Sequence, residues 1–591
     1  MNISGFIQPD SDRTLIQKQH LSVIIPAGSG HAVTLISPRG SMKPLRLNTL
    51  GDRLETAVTL DQDGEYVLEL REASGGRLID RRVIRVLPSW TVSAVVYNLF
   101  LRTSAQSSYD ATLEDVLRHI DKVADAGVNV LYINPFYDTG AYLKKHNLLG
   151  SMPDQALKGT PYAVRDMTEL NVAAVASDPA LSSSWQAEEV LRTFVSAAHN
   201  RGIRVIFDLI LNHTSHDFLL QRYYPEWFYY KEDILSTDSP YLYFTDGKPW
   251  GDPAHTAVPF EDGDFYWSDT AKLNWEFDAP PAPNDPPGNP SIRQMYEYFI
   301  TVASYWVREF GIDGYRCDLA HRIPLSFWRE CIAAVKSTAR ESHPHNDSID
   351  GTVVFVAEAP PESVSSLLAA GFDFCYSGLA QGIDNPGAYL KSLSESRERL
   401  HSFNFAEAYD FHARNRAPEP VHGGGPDRSG IWQWALTATL PGMALLYSGF
   451  EKMSWHGIPG ADLGLIGDNE YLAAVRTVSE IRTKEKALHS EAVQYLEVSG
   501  EDAEAITAYS RYNDGETLFV VLNTGKTAVT NAIVRLSSPD LDSGQPFMLK
   551  DLMTGRIYLR TDPEVVLLLD PGQVHIFKLE QKWEDSSYSQ A

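Results

Sequence analysis

The spacing of hydrophobic positions changes twice along the chain. Over the first ninety or so residues, short apolar runs alternate with Gly-, Asp- and Pro-rich breaks: LSVIIP from Leu21, then HAVTLISP, ETAVTL, EYVLELRE and RRVIRVLP. Strands this short and this closely spaced predict an antiparallel β-sandwich over residues 1–89, with Pro88 at its boundary.

From about Trp90 apolar strands alternate with amphipathic helical stretches, the pattern of βαβ units around a parallel sheet. VSAVVYNLF precedes a helix at Leu113 to Ala126, and VNVLYINPF follows it. Helices at Gln186–Asn200, Ile292–Phe310 and Phe327–Arg340 lead into IRVIFDLILNH, IDGYRCDLAH and TVVFVAEAP. FDFCYSG, FNFAEAYD and GMALLYSGF bring the count to eight strands, each followed by a helix. That is the requirement of a (β/α)8 TIM barrel, here over residues 90–485.

The connection over 212–290 is too long to be a plain loop, is rich in aromatics and ends in APPAPNDPPGNP. It predicts an inserted subdomain after the third strand. After Lys486 the β rhythm returns (AITAYSRY, ETLFVVLNT, NAIVRLS, VVLLLD, QVHIFKLE), which predicts a second sandwich over 486–591.

Active-site groups of such a barrel come from the C-terminal ends of its strands. Asp208, Asp318, Glu358 and Asp410 stand at the ends of the third, fourth, fifth and seventh predicted strands. Each alone could be a capping or ion-paired acid. Four at corresponding places behind apolar strands point to chemistry.

These strand ends resemble the short motifs of the alpha-amylase family of glycoside hydrolases. DLILNH (Asp208, Asn212, His213) is similar to the first motif, and GYRCDLAH, with Arg316, Asp318 and His321, to the second. FVAEAP carries Glu358 as in the third, AEAYDFHAR supplies Asp410 in the fourth, and GTPYAVRD brings Tyr162 and Asp166.

The resemblance implies Asp318 as nucleophile, Glu358 as acid/base and Asp410 as the third carboxylate. It implies that Tyr162, Asp166, Asp208, Asn212, His213, Arg316, His321 and Tyr409 bind or position the sugar. The apolar setting of Glu358 is suited to raise its pKa above that of Asp318, and Arg316 to keep Asp318 ionised.

The fourth motif departs from the family, because Ala408-Tyr409-Asp410 replaces Asn-His-Asp. That change, His321 three residues after the nucleophile, and YSGFE (Tyr447 to Glu451) resemble the maltosyltransferase branch, which uses maltose 1-phosphate. Lys231, Lys248 and Lys272 are scattered and do not form the lysine-rich stretch expected for its phosphate.

The expected activity is therefore retaining cleavage or transfer of alpha-1,4-linked glucosyl units in an alpha-glucan or malto-oligosaccharide. A maltosyltransferase, or a non-catalytic carbohydrate-binding member of the fold, are the alternatives. The aromatics of the insertion (YYPEWFYY, Trp250, Trp267) suit either sugar stacking or the core of the subdomain.

Composition narrows the partners. A net charge of −26 repels nucleic acid and anionic lipid. No run of ~20 uncharged apolar residues predicts a membrane span. The N-terminus lacks the pattern of a secretory signal. Cys317, Cys331 and Cys375 lie in apolar surroundings and read as buried reduced thiols. Cytoplasm is expected, although a chain whose signal had been removed would read the same. No cofactor is expected to be required. A structural calcium is frequent in the family, yet no cluster with loop-ligand spacing marks one, and an oligomer is left open.

Overall fold

The structure is a computed structural model that describes residues 13–580, apart from 17–18, 27–30, 39, 73–75, 100, 102–111, 141–160, 177–183, 216, 230–259, 263–264, 268–269, 276–288, 343–351, 384, 396–398, 405–428, 448–469 and 542–544. Two compact units divide at Val92/Ser93.

In the first unit a five-stranded and a three-stranded sheet enclose a core of Leu21, Val23, Ile25, Leu68, Leu70, Ile84 and Val86. Burial alternates along His31–Ile36 and Gly64–Glu72, as a half-buried strand requires.

The second unit is built on a closed eight-stranded barrel. Its strands are β1 (Val95–Leu99), β2 (Val130–Ile133), β3 (Arg204–Leu209), β4 (Gly314–Cys317), β5 (Val354–Ala357), β6 (Phe374–Tyr376), β7 (Ser402–Asn404) and β8 (Met443–Tyr447). Every pairing is parallel, and β8 closes on β1 with Ala444 opposite Val95. The barrel expected from the alternation of strands and helices is the one observed.

Local chemistry sets the surrounding helices. The helix Pro290–Phe310 starts on Asn289, whose side chain accepts from Ser291 N, with Pro290 in its first turn. It ends on Gly311 at φ 68°, whose N–H returns to the Val307 carbonyl. The helix expected over Leu113 to Ala126 is two pieces, Leu113–Arg118 and Ile120–Asp125, bent at His119. The bend keeps Leu113, Val116, Ile120 and Val123 buried against the barrel.

Two buried acids mark the opposite, N-terminal end of the barrel. Asp313, just before β4, takes Arg204 Nη1 at 3.0 Å, His199 Nε2 at 2.9 Å and Val205 N at 2.8 Å. Asp373, just before β6, takes Lys336 Nζ at 2.7 Å and Phe355 N at 2.9 Å. Fully partnered acids at that end hold strands in register.

The insertion contributes two small antiparallel pairs, His213–Ser215 with Thr270–Lys272 and Phe260–Asp262 with Phe265–Trp267. Its described aromatics Trp227, Phe228 and Trp275 are buried. Trp227 stacks on Tyr224 at 4.3 Å, and Trp275 packs on Tyr296, Phe299 and Phe327. They form the seam between the insertion and the helix Pro290–Phe310. Trp250 lies outside the described residues.

At the C-terminus a six-stranded and a three-stranded sheet pack around Ala508, Phe519, Val521, Ala532, Val534 and Leu567. These sheets belong to the same compact unit as the barrel.

Candidate active site

One guanidinium organises the C-terminal end of the barrel. Arg316 is the third residue of β4, pairs across from Asp208 of β3 and is 1% exposed. Its Nη1 donates to Asp208 Oδ1 at 2.9 Å and to Asp318 Oδ1 at 2.7 Å. Its Nη2 lies 2.7 Å from Glu358 Oε2 as an ion pair whose N–H is not aimed along the contact. Its Nε donates to the Tyr376 hydroxyl at 2.9 Å. Arg316 and Asp318 fall on the same side because side chains alternate along a strand.

The strand ends fix the two carboxylates that flank this arginine. Asp318 directly follows β4 and its N–H donates to Leu209 O at 3.0 Å, while Glu358 directly follows β5 and its N–H donates to Cys317 O at 3.1 Å. Leu319, the residue after Asp318, is left-handed at φ 46°, unusual for a residue with a β-carbon. That conformation turns its N–H onto Glu358 Oε2 at 3.0 Å.

Asp208 is fully buried and fully used. Tyr132 and Tyr162 hydroxyls donate to its Oδ2 at 2.7 and 3.0 Å. Asn134 Nδ2 reaches the Tyr162 oxygen at 2.8 Å, and Asn98 Nδ2 reaches Asn134 Oδ1 at 2.6 Å. Tyr137 donates to the Asp208 carbonyl at 2.8 Å.

Burial pushes the Asp318 and Asp208 carboxyls above the usual range, and Arg316 pulls them back down only in part. Burial opposes the charge of Arg316 as well, but Asp208 and Glu358 outweigh it and hold the guanidinium charged. One cation is shared among three carboxylates, and the neighbouring negative charges add to burial in raising the Asp318 and Asp208 carboxyls. The expectation that the apolar setting would fall on Glu358 meets a different arrangement. The Glu358 side chain is 22% exposed and that of Asp318 8%.

His213 is buried, and burial lowers its pKa from 6.5 to about 3 despite a hydrogen bond to the Tyr162 backbone. Its ring is therefore neutral at ordinary pH. Asn212, equally buried, lies 3.5 Å from His213 Nδ1. His321 sits in the short turn Ala320–Arg322, three residues beyond Asp318.

Asp166 does not join this network. Its Oδ1 accepts from Thr168 N at 2.8 Å and Thr168 Oγ1 at 2.7 Å, closing a local turn within the strand Val164–Leu170. Asp410 and Tyr409 lie outside the described residues. Among the described residues no group of three or more His, Cys, Asp or Glu is placed to hold a metal ion.

Tyr137 and four polar residues of the barrel strands or their ends, Asn98, Tyr132, Asn134 and Tyr376, are absent from the motif-based expectation. The signal of these four was period-two alternation within VVYNL, VLYIN and FCY, which puts a polar group on the inner side of otherwise apolar strands.

Comparison with known proteins agrees with the barrel fold. Residues 96–363 match the family described as alpha amylase, catalytic domain. A cyclomaltodextrinase of Geobacillus thermopakistaniensis is 26% identical over 39% of this chain, a match spanning only 30% of that enzyme's length. An alpha-1,4-glucan:maltose-1-phosphate maltosyltransferase of Arcanobacterium haemolyticum is 25% identical over 93% of this chain and 75% of its own. The fold matches a maltogenic alpha-amylase, AmyB of Thermotoga neapolitana, with a TM-score of 0.57 at 18% identity, over 82% of this chain and 98% of that one. The barrel and the family match agree, and residues 96–363 carry an alpha-amylase catalytic domain.

Proposed function

We propose that this chain is a retaining glycosidase or transglycosylase acting on alpha-1,4-linked glucosyl units of an alpha-glucan or malto-oligosaccharide. The observation that supports it most is Arg316 bridging Asp318 and Glu358 from the two ends of one guanidinium. Two carboxyls held so close suit direct attack, for which about 5–5.5 Å is needed, better than the wider gap that admits a water.

In this reading the Asp318 carboxylate attacks the anomeric carbon as Glu358 gives its proton to the departing glycosidic oxygen. The bond to that oxygen breaks and a glycosyl-Asp318 ester forms. Glu358, now ionised, removes a proton from the acceptor hydroxyl, whose oxygen displaces Asp318. Arg316 stabilises the carboxylate each time it leaves. Asp208 holds Arg316, Tyr162 and Tyr132 in place, and neutral His213 offers a hydrogen bond to the sugar without adding charge. Asp410 is assigned to sugar hydroxyls on the resemblance of its motif. No step is assigned to a metal. The burial of all three cysteines in apolar surroundings supports a cytoplasmic location.

A second reading, transfer of maltosyl units from maltose 1-phosphate, is favoured by the alignment with the maltosyltransferase over 93% of the chain. It uses the same two carboxylates with phosphate as leaving group.

Mass spectrometry of products from maltoheptaose, with and without inorganic phosphate and beside Asp318→Ala, separates these readings. Shorter oligomers alone indicate hydrolysis, and a ladder in both directions indicates transfer. A sugar phosphate formed only with phosphate indicates the second reading. No product in any tube removes the catalytic reading for these substrates.

A further inference from the structure

Only two described residues other than glycine hold a positive φ, Leu319 (46°) and Asp514 (48°). Asp514 has an ordinary reason. With Gly515 it forms the two-residue turn between the strands Ile506–Asn513 and Glu516–Asn523, a hairpin position that favours aspartate followed by glycine. Leu319 stands in no hairpin. It takes φ 46° and ψ 42° between the end of β4 and the short turn Ala320–Arg322, where its β-carbon crowds the backbone.

A backbone held against its preference persists only where its surroundings over-determine it, and such places gather at functional sites. Asp318 N–H donates to Leu209 O and Ala320 N–H to Glu358 O, both at 3.0 Å. Arg322 N–H donates to Leu319 O at 2.8 Å, and Trp328 Nε1–H to Ala320 O at 2.9 Å. The turn is tied on both sides of Leu319, whose own N–H is left to donate to Glu358 Oε2 at 3.0 Å.

That N–H is the one hydrogen-bond donor to the Glu358 carboxyl among the described residues. Arg316 Nη2 is nearer, 2.7 Å from the same oxygen, but none of its N–H groups lies along the contact. A charge at that distance attracts the carboxyl without choosing how its plane is turned. An aligned N–H does choose. Oε1 accepts no hydrogen bond among the described residues.

The two oxygens of Glu358 are therefore unequal. Oε2 faces a donated N–H and a guanidinium, so a proton placed on it would meet other protons, and the proton of a neutral Glu358 belongs on Oε1. We propose that Leu319 is a positioning residue whose main-chain N–H fixes Oε1 as the oxygen that exchanges the proton, an inference that rests on Glu358 as the acid. On cleavage the Oε1–H bond breaks, its electron pair stays on the carboxylate and the proton goes to the departing glycosidic oxygen. In the second step Oε1 takes a proton from the acceptor hydroxyl, while Oε2 keeps its bond to Leu319.

Replacing Leu319 in the full chain by its α-hydroxy analogue, through nonsense suppression, exchanges the N–H for an ester oxygen and leaves the side chain unchanged. The value of kcat/KM on maltoheptaose is expected to fall by about tenfold or more. On maltosyl fluoride, whose leaving group needs no proton, it is expected to fall by less than about threefold. Suppression with leucine itself is the control, and circular dichroism checks folding. If the ester chain does not fold, side-chain variants carry the test. Leu319→Val, β-branched and unsuited to φ 46°, is expected to show the same split, and Leu319→Asn, which tolerates that conformation, a smaller one. Equal losses on the two substrates, an ester chain with no loss, or a Val variant that matches Asn would each overturn the proposal. Glu358→Gln is measured beside them. If it shows the split and the Leu319 variants do not, the acid reading stands and the positioning role falls. If it shows no split, the acid reading itself falls and the proposal with it.

Discussion

The Tyr376 hydroxyl accepts a hydrogen bond from Arg316 Nε at 2.9 Å, and the guanidinium carbon lies 5.5 Å from the centre of the Tyr376 ring. All three nitrogens of Arg316 are thereby committed: one to β6, the others to Asp208, Asp318 and Glu358. Tyr376 in turn stacks on Phe403 of β7 at 5.8 Å, so that ring-on-ring packing fixes the hydroxyl. The position of the charge that serves both carboxylates is therefore set by an aromatic two strands away.

Tyr376→Phe keeps the stacking and removes only the acceptor. Arg316 loses one anchor, its hold on Asp318 weakens, and burial then pushes that carboxyl further up. The acid limb of the kcat/KM profile is expected to move to higher pH, with kcat falling by about tenfold or more, the loss of one hydrogen bond from a charged donor. An unchanged acid limb would separate Tyr376 from the charge network.

Replacing Glu358 by Gln removes proton transfer but keeps the contact with Leu319 N. Turnover on maltoheptaose is expected to fall by about 10²–10⁴-fold, and much less on a glycosyl fluoride, whose leaving group needs no proton. Equal losses on both substrates would remove Glu358 from the acid role.

Asp318→Asn is expected to abolish turnover and yet raise stability at neutral pH. The folded-state pKa of Asp318 is raised, so its contribution is present at low pH and lost as pH rises through that value. Asn carries no such penalty, and a gain of about 1–2 kcal/mol by urea titration at pH 7 is expected. A variant no more stable than the parent at pH 7, and equal to it at all pH values, would contradict the raised pKa.

His213 acts with the opposite sign. Its pKa is lowered to about 3, so from pH 6.5 down to about 3 the unfolded chain binds a proton that the native state does not. Stability is expected to fall with acidification across that window, by up to about 1.4 kcal/mol per pH unit. His213→Gln should flatten this slope in thermal unfolding followed against pH.

Arg482 and Arg511 hold the end of the barrel to the C-terminal sheets through main-chain carbonyls. Arg482 donates to Ala94 O at 2.8 Å, Ala438 O at 2.7 Å and also to Gly442 O. Arg511 donates to Ala492 O at 2.7 Å, Ser490 O at 2.6 Å and also to Thr439 O. Arg482→Ala leaves several buried carbonyls unpaired and is expected to cost about 3 kcal/mol or more in urea unfolding.

The sequence by itself determined the barrel, because strand and helix periodicities differ and each of the eight strands is an apolar run. It also determined which strand ends carry acids, since a residue directly after such a run must emerge at the barrel mouth. Asp318 and Glu358 were legible for that reason, and so were Asp208, the last residue but one of β3, and Arg316, two positions before Asp318. Only the tertiary structure decided how they are shared. One arginine serves three carboxylates because β3, β4 and β5 are neighbours in register, and Tyr376 reaches that arginine from β6, a strand with no acid at its end. It separated Asp166, tied to Thr168 in a local turn, from the cluster, although the two look alike in sequence. It also showed which aromatics of the insertion are core. Periodicity reports which face of a strand is apolar. What lies against that face depends on strands distant in the chain, and only their pairing reveals it.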